Sequence, residues 1–343
     1  MRHLLNTFYI LSEDIYLSLE GENVVASRDR QAAARYPLHT LQNIITFSYA
    51  GASPALMGAC AERQIGLAFC TPRGKFLARV CGENSGNVLL RRTQYRAADD
   101  PVQCCRISRT MIFGKLFNAR WVMERTRRDH GLRVDGEKLI SVSRQIYGLL
   151  PQVKEAASLE ELRGLEGVGA SAYFSVFNDM ILGDKETFSF QGRSRRPPLD
   201  PVNALLSFAY SLLAHDCASA LESVGLDSYV GFLHRDRPGR SSLALDLMEE
   251  LRPCMADRFV LTLINNRQVK AADFLYMESG AVLLSEDGRK TFLNNWQERK
   301  KETLTHPYLG EKLPWGMIPY IQALLLARHL RGDLDTYPPF LWK

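Results

Sequence analysis

The stretch CCRISRTMIFGKLFNARWVMERTRRDH, residues 104–130, decides how this chain is read. Ile112, Leu116, Ala119 and Met123 recur every three or four residues, flanked by Phe113, Phe117 and Trp121. That period lays apolar side chains along one stripe of an α-helix; a strand would alternate its faces at every second residue. Gly131 follows as the expected stop. The surrounding residues 102–133 carry Arg106, Arg109, Lys115, Arg120, Arg125, Arg127, Arg128 and Arg133 against only Glu124 and Asp129. This local excess of six positive charges exceeds the +5 of the whole 343-residue chain. It has two readings: the electrostatic footprint of a phosphate-backbone binder, or a solvated helix face.

Upstream, the pattern has the period of strands. YILSEDIYLSLEGENVVAS, residues 9–27, alternates apolar and polar positions around Glu20-Gly21-Glu22-Asn23, a hairpin signal. LHTLQNIITFSY (38–49) reads as extended, and SPALMGACAE (53–62) as a short helix with Ser53 as N-cap and Pro54 at its first position. IGLAFCT and KFLARVCG then read as two strands joined at Pro72-Arg73-Gly74. Downstream, helical periods are expected at about 137–150, 152–163, 166–182, 200–223, 241–257 and 313–331, with one strand pair near 274–288. The expected fold is α+β: a β-rich, sandwich-like N-terminal domain (1–84), a linker (85–100) and a larger all-α domain (101–343) that carries the chemistry.

Composition excludes several classes. A chain that is 46% hydrophobic and 24% charged is neither disordered nor fibrous. Glu13, Asp14 and Glu20 interrupt the apolar opening, against a signal peptide, and no run of 18 apolar residues suggests a membrane span. The seven cysteines form no CxxC pair, which points to reduced, buried thiols in a cytoplasmic protein. GxGxxG, the P-loop, GxSxG and HExxH are absent.

Three stretches can carry chemistry. GLEGVGASAYFSVF (164–177) places Glu166 among small residues at the expected start of a helix. There it is either a carboxylate in a crowded space that demands a cation, or plain first-turn dipole chemistry. In LHRDRPGRSSLALDLMEELRP (233–253), His234 lies in a polar loop. Asp246 and Glu249 share a face of the following helix, with Glu250 pointing elsewhere. Imidazole plus carboxylates suits Mg²⁺ or Mn²⁺ better than a structural zinc, though surface decoration fits the spacing too. In RSRRPPLDPVNALLSFAYSLL (193–213), Asp200 and Asn203 read as a cap and a first-turn residue, and Arg193, Arg195 and Arg196 as phosphate contacts or solvated charges.

Taken together, LEGxxAxxYF at 165–174, RPPxDPVNALLSxxY at 196–210 and H-x₁₁-D-L-M-E-E-x-R-P at 234–253 resemble the CRISPR adaptation integrases, the Cas one proteins, over nearly the whole chain. The N-terminal opening and its hairpin resemble the type I-C subtype. The resemblance implies a metal-dependent DNA endonuclease and integrase. Its metal ligands fall on Glu166, His234 and Glu249, with Mg²⁺ or Mn²⁺ as cofactor and Asp246 in support. It further implies that short duplex fragments are joined into the CRISPR repeat, by a homodimer built on the β-domain and bridged by a dimer of the small Cas two protein, with no membrane partner. The basic stretches at 102–133, 193–196, 235–240 and 289–301 are then candidate backbone contacts. Tyr173 and Tyr210 are read as core residues before stacking ones. A general metal-dependent nuclease acting on branched or single-stranded DNA is the runner-up, followed by a non-catalytic DNA scaffold.

Overall fold

Gly21, with φ +57°, lets the chain reverse between Tyr16–Glu20 and Asn23–Arg28, and the expected hairpin forms around it. The computed structural model describes residues 7–343 except 30, 42, 64, 72–75, 81 and 83–87. By packing, the chain divides into two units: Met1–Ser85 with Leu284–Glu302, and Gly86–Leu283 with Thr303–Lys343.

The first unit contains β1 (Thr7–Ile10), β2 (Tyr16–Glu20), β3 (Asn23–Arg28), β4 (Gln31–Pro37), β5 (Asn43–Thr46), α1 (Pro54–Glu62), β6 (Gly66–Cys70) and β7 (Phe76–Val80). A four-stranded sheet runs β1-β5-β6-β7, and β2-β3-β4 form an antiparallel sheet. β1 and β6 flank β5 in parallel, and β7 closes the edge antiparallel. One core collects Ile10, Leu17, Val24, Ile44, Leu56 and Leu67 from both sheets and α1. Ser53 caps α1 as expected, its Oγ accepting the Leu56 N–H at 3.2 Å. Leu38–Thr40, expected as extended, is instead a 3₁₀ turn leading into β5. The turn expected at Pro72-Arg73-Gly74 lies outside the described residues. So does the expected domain boundary at 84/85.

The second unit is mostly helical: α2 (Val88–Asp99), α3 (Pro101–His130), α4 (Gly136–Glu155), α5 (Leu159–Ser175), α6 (Pro201–Ser223), α7 (Ser242–Leu251) and α8 (Arg258–Asn265). After the short strands β8 (Phe274–Tyr276) and β9 (Val282–Leu284), α9 (Glu286–Lys301) follows. The short pair β10 (Thr303–Thr305) and β11 (Lys312–Pro314) precedes α10 (Ile318–Arg331). α3 is the axis of this unit, packed against α4, α5 and α7. α6 is long and apolar enough to cross a membrane by length and composition, and it is buried along most of its length here, against α7 and α10.

Two expectations are corrected. Residues 88–99, expected as linker, form α2 and belong to the helical unit. Leu90 and Gln94, one turn apart, are buried; the Gln94 side chain donates to the Asp227 and Val230 carbonyls at 2.7 and 2.9 Å and accepts the Asp227 N–H at 2.9 Å. Conversely, α9 joins the β-rich unit: Phe292, Leu293 and Trp296 are buried, and Gln297 donates to the Thr7 carbonyl at 2.9 Å.

The segment after α10 returns to the helical unit through Glu250. This carboxylate accepts hydrogen bonds from the Tyr337 hydroxyl, from Gln322 Nε2 at 3.0 Å and from the Phe340 N–H at 2.9 Å. Asn118 of α3 completes the clamp, donating to the Glu250 and Phe340 carbonyls and accepting the Trp342 N–H at 2.8 Å. Burial pushes the Glu250 pKa up to about 7 despite the bonds from Tyr337, Gln322 and the Phe340 N–H. The unfolded chain gives up this proton near pH 4 to 5, so Glu250 favours the fold at low pH and costs stability as pH rises through about 7. In urea unfolding, Glu250→Gln should gain on the wild type by on the order of 3 kcal/mol between pH 4 and pH 8. A pH-independent difference would place no titrating carboxyl at this position.

Candidate active site

Helix α5 begins at Ser158, whose Oγ accepts the Glu161 N–H at 3.1 Å, with Glu160 and Glu161 in its first turn. Glu166 therefore lies two turns inside the helix, not at its start, and first-turn dipole chemistry does not explain it. Its position follows from a close helix crossing. A Cβ on Gly169 would lie 2.4 Å from Leu116 Cδ2, so only glycine allows α5 and α3 to approach this closely without a shift. Gly164 and Gly167 face open space and have no such part. One turn before Gly169, Glu166 Oε1 meets the ammonium of Lys115, the residue preceding Leu116 on α3.

Helix α7 supplies the second carboxylate. Asp246, Glu249 and Glu250 are all buried on this ten-residue helix, and each is satisfied differently. Glu249 Oε2 lies 2.6 Å from Lys115 Nζ, and Arg252 Nη1 reaches both Glu249 oxygens, at 2.9 and 3.1 Å. Burial alone would raise the Glu249 pKa, but Arg252 and Lys115 outweigh it and hold the carboxyl well below the usual range. Arg252 opens a π-helical turn, Arg252–Asp257. Pro253 has no N–H for the carbonyl four residues back, which favours widening of the helix there. The expected helix 241–257 is thus α7 plus this turn, and the turn leads directly into α8.

Asp246 organises the loop before α7. It accepts the backbone N–H groups of Phe232, Leu233 and His234 at 2.6, 2.9 and 3.0 Å, and its Oδ1 lies 2.6 Å from His234 Nδ1. Gly231 makes the wrap possible, since a Cβ there would lie 2.8 Å from Asp246 Oδ2. With Asp246 accepting, His234 Nδ1 donates and Nε2 keeps its lone pair.

The structure therefore draws Glu166 and Glu249 onto one cationic nitrogen, with His234 oriented by Asp246 three residues before Glu249 on α7. Among the described residues, no three His, Cys, Asp or Glu side chains already form a metal cage. The point where the two carboxylates converge is held by the Lys115 ammonium. That a cation sits there is the test of fit: two carboxylate oxygens already share one positive charge, and together with an imidazole nitrogen they would make an O,O,N donor set suited to Mg²⁺ or Mn²⁺.

Lys115 and Arg252 escaped the sequence reading as site residues. The signal for Lys115 was present. It falls four residues after Met111 and four before Ala119, on the apolar face of α3, where a lysine needs a buried partner. The rest of the basic stretch is largely engaged within the fold. Arg109 donates to the Lys154 carbonyl at 3.0 Å and Arg133 to the Leu182 carbonyl at 2.7 Å. Arg125 stacks on Trp342, Arg120 on Tyr147, and Arg127 and Arg128 pair with Glu124 and Asp129. This stretch is not a single free cationic face. Asp200 caps α6 through the Asn203 N–H at 2.8 Å, and Asn203 is buried, so both are structural. Arg193 and Arg252 both lie over the Tyr210 ring, 5.1 and 4.4 Å from its centre, while Tyr173 is buried. Arg195 and Arg196, and Arg235 and Arg237 beside His234, are exposed.

The family described as CRISPR associated protein Cas1 matches residues 8–298. The CRISPR-associated endonuclease Cas1 1 of Chlorobaculum tepidum is 49% identical over 343 residues, with 100% of both chains covered. The CRISPR-associated endonuclease Cas1 2 of Rhodospirillum rubrum is 52% identical over 347 residues, again covering 100% of both. In structure, a casposase bound to integration product superposes with a TM-score of 0.83 at 23% identity, covering 98% of this chain and 94% of that one. A chain of a Cas6-RT-Cas1–Cas2 complex superposes with a TM-score of 0.80 at 22% identity, covering 98% of this chain and 36% of that one.

Asp246 can be distinguished from the carboxylates that face Lys115. Asp246→Ala would strand three buried backbone N–H groups and release His234, at a cost of about 3 kcal/mol or more in chemical denaturation. His234→Ala should cost less than about 1 kcal/mol, since the exposed edge of its ring is solvated. Equal costs for the two variants would contradict the scaffolding role of Asp246.

Proposed function

The chain belongs to the Cas1 family of CRISPR-associated proteins, and on that premise we propose how its helical unit performs the family's reaction. The protein is a DNA endonuclease and integrase of CRISPR adaptation. The observation that carries the assignment of residues is the convergence of Glu166 of α5 and Glu249 of α7 on one cation, beside an imidazole fixed by Asp246. Glu166, Glu249 and His234 Nε2 are the ligands of a divalent ion, Mg²⁺ or Mn²⁺. When bound, such an ion neutralises the non-bridging phosphate oxygens and promotes deprotonation of the attacking hydroxyl.

The chain's own contribution is positioning. Arg252 holds Glu249 through both oxygens, so the carboxylate stays ionised and cannot rotate away. Asp246 fixes the tautomer and plane of His234. The rigid crossing at Gly169 sets the separation of α5 from α3. The reaction is a transesterification: a 3′-oxygen of a short duplex fragment forms a bond to phosphorus in the repeat strand, and the in-line P–O bond to the leaving oxygen breaks. One bond is made as one is lost, and no enzyme intermediate is needed.

Captured fragments differ in sequence, so contacts go to the backbone. Exposed Arg235 and Arg237 beside His234, and Arg195 and Arg196 before α6, are the candidate contacts. The protein acts in the cytoplasm as a homodimer built on the β-rich unit, with a Cas2 dimer as bridge; family membership and a solved complex containing Cas1 and Cas2 support this assembly. The N-terminal opening and hairpin support placement in subtype I-C.

The test uses the full chain with labelled duplex bearing free 3′-hydroxyls and a supercoiled repeat plasmid, with and without the Cas2 partner. Label should join the plasmid with Mn²⁺, fail with EDTA, and fall by about a hundredfold or more in Glu166→Ala. Nicking without joining would replace integration with nuclease action. Joining that survives Glu166→Ala would remove Glu166 from the site.

A further inference from the structure

Lys115 Nζ stands where the Glu166 and Glu249 carboxylates converge, the place a divalent ion held by both would need. We propose that Lys115 is a resident counter-cation that holds Glu166 and Glu249 together in the metal-free protein and must be displaced when a divalent ion binds. The inference rests on the metal reading above and adds a residue to it.

Charge balance carries the argument. Glu166 and Glu249 face two cations, Lys115 and Arg252, so these four charges balance, and Asp257 and Arg193, which both meet Tyr210 beside them, balance each other in turn. The side chains of Lys115, Glu249 and Arg252 are 8–9% exposed and that of Glu166 28%, so an added double charge would be only partly solvated. A positive group therefore has to leave. Arg252 cannot: it grips both oxygens of Glu249, and its guanidinium lies 4.4 Å from the centre of the Tyr210 ring. Lys115 makes its two ion pairs through a single ammonium at the end of a four-carbon stem with several rotatable bonds. A small cavity beside it, with space for about one water, is lined by Ala119, Gly169, Tyr173, Arg252 and Asp257 as well as Lys115, and the Lys115 charge already acts on Asp257, a second carboxylate that a displaced ammonium could turn toward. The ammonium is thus both a scaffold for the empty ligand pair and a competitor for it. Removing its charge makes the apo site less stable and the metal site tighter, a pairing of effects that a purely structural lysine would not produce.

The experiment measures Mn²⁺ binding to the full chain by electron paramagnetic resonance of the free ion, alongside thermal unfolding with and without Mn²⁺. Lys115→Met and Lys115→Gln should bind Mn²⁺ roughly tenfold or more tightly than the wild type, and gain more in Tm from the ion. Lys115→Arg, which keeps the charge, should not. Lys115→Gln retains a donor for the carboxylates, so it carries the comparison if Lys115→Met fails to fold. Unchanged or weaker Mn²⁺ binding in the folded Gln and Met variants overturns the inference and leaves the metal site standing. Absence of saturable Mn²⁺ binding in every variant, or binding insensitive to Glu166→Gln, overturns the metal reading itself and the inference with it.

Discussion

An alternating chain of charge, Arg252–Glu249–Lys115–Glu166, joins three helices of the larger unit. Each member is expensive to bury alone, and removing one leaves its neighbour uncompensated in a low-dielectric space. The chain therefore constrains where α3, α5 and α7 can sit far more narrowly than apolar packing would. Leu116 and Gly169 bring α3 and α5 close; the charges determine which residues must face each other once they are close. A cluster built this way already holds one cation between two carboxylates, the preorganisation on which the proposed metal chemistry would draw.

The contrast between Glu249 and Glu250 shows how little of this depends on residue type. They are consecutive on one buried helix, about 100° apart in projection. Glu249 faces Arg252 and Lys115 and is held ionised; Glu250 faces a phenol, an amide and a backbone N–H, all uncharged, and burial pushes its pKa up to about 7. One carboxylate is the proposed metal ligand. The other ties the segment around Tyr337 and Phe340 to α7, close behind the site. Asp246 adds a third use of a buried carboxylate, as the acceptor around which the His234 loop is wound. Backbone donors, charged donors and neutral donors thus sort three acidic side chains into three tasks within five residues.

Local physics was legible where a residue's own backbone or its near neighbours decide the outcome. Gly21 at the hairpin, Ser53-Pro54 at the start of α1 and Asp200-Pro201 at the start of α6 all stand as expected, because a turn or a cap is settled within about four residues. The reading failed where a partner far along the chain decides. Residues 88–99 look like a polar linker until Gln94 meets the 227–230 turn; α9 looks like part of the helical domain until its Phe292 and Trp296 are found with the strands. Glu166 was expected at a helix start because the Ser158 cap eight residues earlier went unread. The basic stretch of α3 was weighed as one surface, whereas carbonyls, carboxylates and aromatic rings from distant segments absorb most of it.

By itself, the sequence determined the division into a strand-rich and a helix-rich part, the family, and the three residues proposed as metal ligands, because periodicity and motif spacing are local and survive without coordinates. Only the tertiary structure decided that Glu166 and Glu249 converge and that Lys115 stands between them. Lys115 and Glu249 compensate each other through space from helices more than a hundred residues apart, and no window of sequence contains both partners.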